Sequence, residues 1–284
     1  MLVRRRHRRV RGGTRQLNSL EWEALCDGYR SIGVVKGGIA YVTGNFGRPG
    51  TIGTESPRAA LPLHLSALRK VLGDDGTLVV PTHSWSLRGS GIPFDITMTA
   101  SETGPFTELV RSQSGSRRQF HAFASVSAVG PRAHEICESS TRHAYGPGSP
   151  WDVLCAENAT FVSVAQPVAE TISAVHHAEF LAGVPYRYTR EIPHPCRFDD
   201  GTIRSELFYL QVLFAGVDFE RDRNQRFLSA YDELHGTRSA RLGRSSVHSV
   251  ELGRLLGVVL PMLQSDPYSW LRQPPVTRPW TGWL

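Results

Sequence analysis

Apolar residues along the 284-residue chain fall into short blocks whose spacing switches between strand-like runs and helical periods. Ile39-Ala40-Tyr41-Val42, Thr77-Leu78-Val79-Val80-Pro81, Ala124-Ser125-Val126-Ser127-Ala128-Val129 and Phe161-Val162-Ser163-Val164 are near-continuous runs of strand length. That is the pattern of strands covered on both faces. Between the first two, Leu65, Leu68 and Leu72 keep a helical spacing, with Pro62 suited to the first helical position and Gly73 to the stop. Strand, helix, strand at this distance predicts a crossover unit. Asn18-Ser19-Leu20-Glu21 reads as a capping box for a helix that carries Trp22, Leu25 and Cys26 inward. Residues 105–111 predict a short helix with Phe106, Leu109 and Val110 inward, and another starts at Pro131. Ser149-Pro150-Trp151-Asp152 opens one more, after a tight loop at Tyr145-Gly146-Pro147-Gly148.

Beyond Gly183 the pattern shifts. Residues 184–190 are aromatic and basic, 208–214 read as a strand, 220–248 are polar and include helix, and the stretch from Trp270 to Trp283 reads as an extended tail. No repeat or heptad interrupts the chain. The expected fold class is α/β, with a central mixed sheet covered by helices. One domain is expected over residues 17–284, its C-terminal third elaborated from about 184.

The formal net charge of +6 changes this picture less than its size implies. Residues 1–16 hold seven arginines and no acid, and without them 25 basic residues face 26 acidic ones. The excess therefore belongs to a disordered basic tail at 1–16, and the body lacks the basic stripe of a nucleic-acid binder. No apolar run has the length of a membrane helix, and no apolar segment follows the arginines as in a secretory signal. Cys26, Cys137, Cys155 and Cys196 are scattered without zinc-like spacing, which points to a reducing cytoplasm and to no metal.

The candidate chemistry centres on Ser173-Ala174-Val175-His176-His177-Ala178-Glu179, closed by Gly183. Ser173 reads as an N-cap and Gly183 as a C-terminal stop, so His176 and Glu179 stand three apart on one helix face. A carboxylate there holds the imidazole in one tautomer, and a base so held suits proton abstraction near neutral pH. His177 points about 100° away. Two loops at strand ends are candidate ligand sites: Thr43-Gly44-Asn45-Phe46-Gly47, where a glycine admits close backbone approach, and Thr82-His83-Ser84-Trp85.

Taken in order, these stretches resemble the antibiotic N-acetyltransferase family, typified by aminoglycoside 3-N-acetyltransferases, over roughly residues 20–195. The resemblance rests on Ile32-Gly33-Val34, Val71-Leu72-Gly73, Gly76-Thr77-Leu78-Val79-Val80-Pro81-Thr82, the set Arg118, His121, Ser125 and Gly130, Tyr145-Gly146-Pro147-Gly148-Ser149-Pro150, and Ser173-x-Val175-His176-x-Ala178-Glu179. It implies transfer of an acyl group from acetyl-CoA, or another acyl thioester, to a small-molecule amine such as an amino sugar. His176 is then the general base and Glu179 its partner. It places Thr43, Gly44, Asn45, Phe46, Pro81, Thr82 and Ser173 on the donor side, and His83, Trp85, His121, Tyr145, Tyr186 and Arg187 on the acceptor side.

No nucleic acid or membrane partner is implied, and a homodimer is left open. Thr43-Gly44-Asn45 stands where the family usually has His-Ser-Ser, and Ala122 where it has Pro. Tyr186, Arg187, Tyr188 and Arg190 are a poor match to polycationic aminoglycosides, so an anionic acceptor is expected. Gly-x-Ser-x-Gly is absent, which favours direct transfer. Two other readings stay open: a serine hydrolase pairing Ser125 or Ser149 with His176 and Glu179, and a non-catalytic binding homologue.

Overall fold

The computed structural model describes residues 19–46, 57–138 and 140–281. The arginine-rich stretch 1–16 and most of the loop after the first strand lie outside them. In chain order the strands are β1 (Ile39–Gly44), β2 (Thr77–Pro81), β3 (Phe94–Asp95), β4 (Arg117–Arg118), β5 (Val126–Val129), β6 (Thr160–Val164), β7 (Arg187–Arg197), β8 (Ile203–Leu213), β9 (Arg238–Leu242) and β10 (Ser245–Glu251). The α-helices are α1 (Ser19–Ser31), α2 (Pro57–Leu72), α3 (Pro105–Arg111), α4 (Ala133–Cys137), α5 (Pro150–Ala156), α6 (Val168–Thr171), α7 (Ala174–Ala182), α8 (Gln225–Leu234) and α9 (Leu252–Ser265).

Seven strands form the main sheet in the order β4-β5-β2-β1-β6-β10-β9. Its centre, β2-β1-β6, is parallel, and β5 and β10 join it antiparallel on either side. Alternation along β1 explains the three layers. Ile39 and Tyr41 enter one core with Trp151, Phe161, Val175 and Leu255, whereas Ala40 and Val42 enter the other with Leu25, Leu68 and Phe106. Helices α5, α7 and α9 cover the first face, and α1, α2 and α3 the second. A third cluster, around Phe94, Phe123 and Phe208, sits under a small sheet of β3-β7-β8.

One expectation changes, and two features of the C-terminal part were not anticipated. Helix α2 begins at Pro57, so Pro62 is interior and forgoes one ladder bond where it was expected to start the helix. The C-terminal third is integral to the core: β9 and β10 return to the main sheet beside β6, and α9 packs on its face. The aromatic-basic stretch, in turn, begins an eleven-residue strand, β7, paired throughout with β8. Pro193 and Pro195 hid it. They are two apart, so both missing N–H groups fall on one edge and the β8 register runs on unbroken.

Candidate active site

Helix α7 follows β6 at the end of the parallel strands. Gly183 terminates it in the left-handed conformation (φ 62°, ψ 41°), its N–H meeting the Phe180 carbonyl. Ser173 precedes the helix but makes no side-chain cap; its backbone is already near-helical and its hydroxyl engages the Tyr145 phenol. At the cleft, His176 Nδ1 lies 2.6 Å from Glu179 Oε2.

Glu179 is fully buried and doubly held. The Tyr186 hydroxyl donates to Oε1 at 2.8 Å, and Arg187 Nε lies 2.9 Å from Oε2. Burial works against ionisation of this carboxyl, but the hydrogen bond from His176 and the Arg187 cation outweigh it and hold it below the usual carboxylate range. An ionised carboxylate accepts from Nδ1–H, which leaves Nε2, on the opposite edge of the ring, as the atom that can exchange a proton with a ligand. Burial and the neighbouring carboxylate push the Tyr186 phenol far above its ordinary range, so it stays a neutral donor.

His176 remains 28 % exposed and borders a cleft of about 350 Å³. Tyr145 and Trp270 stand edge-on to its ring at 5.5 and 5.8 Å. Trp270 is fixed by a 2.6 Å bond from its indole N–H to Asn224, and the Asn224 amide donates to the Ala169 carbonyl. The guanidinium groups of Arg187 and Arg221 each lie 5.2 Å from the Trp270 ring. Glu170, Arg221 and Arg223 complete the wall. Sequence reasoning missed Trp270, Asn224, Arg221 and Arg223. They reach His176 from 45 to 94 positions away, and no local pattern marks them.

The structure thus gathers Ser173, His176, Glu179, Tyr145, Tyr186 and Arg187, with Tyr186 and Arg187 turned inward onto Glu179. The remaining candidates lie elsewhere. Gly44 is needed for the approach of β6: its φ is 128°, and a Cβ there would sit 2.2 Å from the Val164 carbonyl oxygen. The Asn45 N–H donates to that same carbonyl at 2.8 Å. Phe46 stacks on Phe106 at 3.9 Å in the core. Thr43, one residue before the end of β1, pairs with Ser163. Pro81 and Thr82 are buried at the end of β2, where Thr82 joins Ser125 and Ser127 through its hydroxyl and accepts from Arg118 through its carbonyl.

His83, whose pKa burial and Arg118 push down to about 4, packs edge-on to the half-exposed Trp85. His121 is fully buried against Phe208, accepts the N–H groups of Phe123 and Ala124 on Nδ1, and is pushed down to about 3, chiefly by burial. It belongs to the small-sheet core.

Among the described residues no serine is hydrogen-bonded to the His176 ring, whose polar partners are Glu179 and Arg187. Ser125 is spent on the Thr82 carbonyl and Arg118, and Ser149 is buried at the start of α5. A larger cavity of about 840 Å³, bordered by Arg111, Arg118, Phe120 and Arg142, shares no lining residue with the His176 cleft. Among the described residues no group of three His, Cys, Asp or Glu side chains is placed to hold a metal ion, and no helix is long and apolar enough to cross a membrane.

A three-layer α/β scaffold that presents an imidazole on a buried carboxylate at a cleft is the layout of an enzyme using acid–base chemistry. Residues 56–264 match the model of the family described as aminoglycoside 3-N-acetyltransferase, and the chain belongs to that family. It is 27 % identical over 212 residues to the aminoglycoside N(3)-acetyltransferase III of Serratia marcescens, covering 66 % of this chain and 78 % of that one. Against the aminoglycoside N(3)-acetyltransferase IX of Micromonospora chalcea it is 30 % identical over 139 residues, 42 % of this chain and 49 % of the other.

Among solved structures, aminoglycoside acetyltransferase AAC(3)-IIb superposes with a TM-score of 0.73 at 22 % identity, covering 86 % of this chain and 97 % of its own. AAC-IIIb in its binary complex with CoASH gives 0.71 at 18 %, covering 86 % and 96 %. AAC-VIa bound to sisomicin gives 0.70 at 18 %, covering 86 % and 97 %. These likenesses establish the fold of an acetyltransferase family whose members are seen with coenzyme A and with aminoglycosides.

Proposed function

We propose that this enzyme transfers an acetyl group directly from acetyl-CoA, or a related acyl thioester, to an amino group of an amino sugar or related intermediate, with His176 as general base. The observation that carries the reading is the 2.6 Å contact between His176 Nδ1 and the buried Glu179 carboxylate, which leaves Nε2 free on the cleft side. An acceptor ammonium is inert until it loses a proton. That first proton goes to solvent; Nε2 takes the second from the amine nitrogen as it attacks the thioester carbonyl, the new C–N bond forms, the C–S bond breaks, and this second proton passes to the departing thiolate, leaving a neutral amide. Glu179 stabilises the imidazolium that forms in between, and Tyr186 and Arg187 keep that carboxylate in place.

The first N–H groups of α7, on Ala174 and Val175, have no intrahelical partner and can receive the oxyanion of the tetrahedral intermediate. Donor contacts fall to Ser173, at the cleft, and to the strand-end loop at Thr43-Gly44-Asn45. The four cysteines are all unbridged and buried, which suits a cytoplasmic enzyme using a coenzyme A thioester.

Calorimetric titration with acetyl-CoA, followed by an assay of amine-dependent thiol release, tests the proposal. Binding is expected in the wild type and in His176→Ala, with release lost in the variant. No heat at high acetyl-CoA, or undiminished release from His176→Ala, would overturn it.

A further inference from the structure

An anionic acceptor was expected from Arg187 and its aromatic neighbours, yet Arg187 is 7 % exposed and committed to Glu179. A different pair of arginines faces the cleft. In residues 221–224, between β8 and α8, the side chains alternate: Asp222 and Asn224 are buried, and Arg221 and Arg223 are exposed on the cleft wall. The buried acid is used locally, since its carboxylate accepts the N–H groups of Asn224 at 2.8 Å and Arg226 at 3.1 Å. Asn224 ties the segment to the Trp270 indole and to the Ala169 carbonyl.

Arg223 and Asn224 both adopt the left-handed conformation, with φ of 56° and 65°. That conformation is costly for residues other than glycine and persists where surrounding bonds enforce it, commonly at ligand sites. Among the described residues neither Arg221 nor Arg223 is in an ion pair, and the acidic side chain on this wall is Glu170. Two guanidinium groups, one over the Trp270 ring and both without an ion-pair partner among the described residues, therefore border the cleft that holds the His176 imidazole.

We propose, resting on the acyl-transfer reading above, that Arg221 and Arg223 form a subsite for an anionic group on the acceptor, so that the amine presented to His176 belongs to a molecule that also carries a phosphate or carboxylate. Guanidinium groups match such anions with paired, charge-assisted hydrogen bonds. The ammonium end of the same molecule is drawn toward Glu170 and the His176–Glu179 pair. A polycation entering this cleft meets like charge at its wall.

The test is calorimetric titration of the intact chain with glucosamine 6-phosphate, glucosamine and gentamicin, in the wild type, R221A/R223A and the charge-conserving R221K/R223K, with acetyl-CoA titrated into each as well. The wild type is expected to bind the phosphate ester at least ~10-fold more tightly than glucosamine, a difference set by charge-assisted pairing. R221A/R223A is expected to bring that ratio close to one, and R221K/R223K to retain most of it. Equal affinity for ester and plain amine in the wild type, or preference for gentamicin, overturns the proposal. So does a double variant that weakens acetyl-CoA while the ester-to-amine ratio stands, because the arginines then serve the coenzyme A phosphates. Turnover is read separately: an ester that binds through Arg221 and Arg223 but is never acetylated removes the acyl-transfer reading and leaves the anionic subsite standing.

Discussion

His176 and His177 are adjacent on α7 and meet opposite environments. The first lies on the cleft face with its Nδ1 on an ionised carboxylate and its other nitrogen open. The second is fully buried, accepts the Gly146 N–H on Nδ1 at 3.1 Å, and is pushed down to about 4 by burial, with Asp152 acting the other way. His177 is thus a neutral clamp on the glycine loop that brings Tyr145 against His176. His121 and His64 are of the same structural kind: buried, low in pKa and bonded to neutral groups. An imidazole becomes a usable base through a charged partner on one nitrogen and access at the other.

The largest effects should separate these two faces. His176→Ala is expected to lower kcat by about 10²–10⁴ with little loss of stability, whereas His177→Ala should cost about 1–3 kcal/mol of unfolding free energy and less than ~10-fold in kcat. Steady-state thiol release and urea titration of both variants check this, and a reversed order would move the base to His177. Next, Glu179→Gln leaves the Arg187 cation buried without its anion and should cost about 3–5 kcal/mol. In E179Q/R187M most of that stability should return, measured by denaturant unfolding, while kcat stays low.

A third expectation concerns pH. His64, His83 and His177 are held at about 4 and His121 at about 3, below the unfolded value near 6.5. Between those limits the unfolded chain binds more protons, so stability is full above about pH 6.5 and declines as pH falls toward 4. The lowered Glu179 carboxyl acts in the same sense, its contribution present above about 4.3 and lost on further acidification. Melting temperature against pH reads this slope, and His121→Asn should flatten it. The smallest effect is reserved for Ser173→Ala. With no capping bond to lose, it gives up the contact of its hydroxyl with the Tyr145 phenol and should cost about 0.5–1 kcal/mol in urea unfolding; a loss near about 2 kcal/mol would restore the cap.

Much of the scaffold was legible in the chain itself. The runs at 39–42, 77–81 and 161–164 became the parallel centre of the sheet, because covered strands must be apolar on both faces. Pro105–Arg111 and Pro150–Ala156 formed where the period and an N-terminal proline placed them, although Ser149, expected as a cap, makes no side-chain capping bond. Strand β7 and the β9-β10 hairpin were not legible. The first is broken by prolines, and the second is polar along its outer edge, since β9 closes the sheet with exposed Arg238, Ser239 and Arg241. Both are held by pairing with distant strands, which local propensity does not report.

At the site, the sequence by itself determined the three-residue spacing of His176 and Glu179, the glycine that ends their helix, and the strands that carry them. Those are consequences of helix period and backbone conformation, both local. Only the tertiary structure decided which histidine faces the cleft, that Tyr186 and Arg187 serve the carboxylate, and that Trp270, Arg221 and Arg223 form the wall. Burial of a charge and the partner that offsets it are set by chain segments far apart in sequence, and they exist only once those segments pack together.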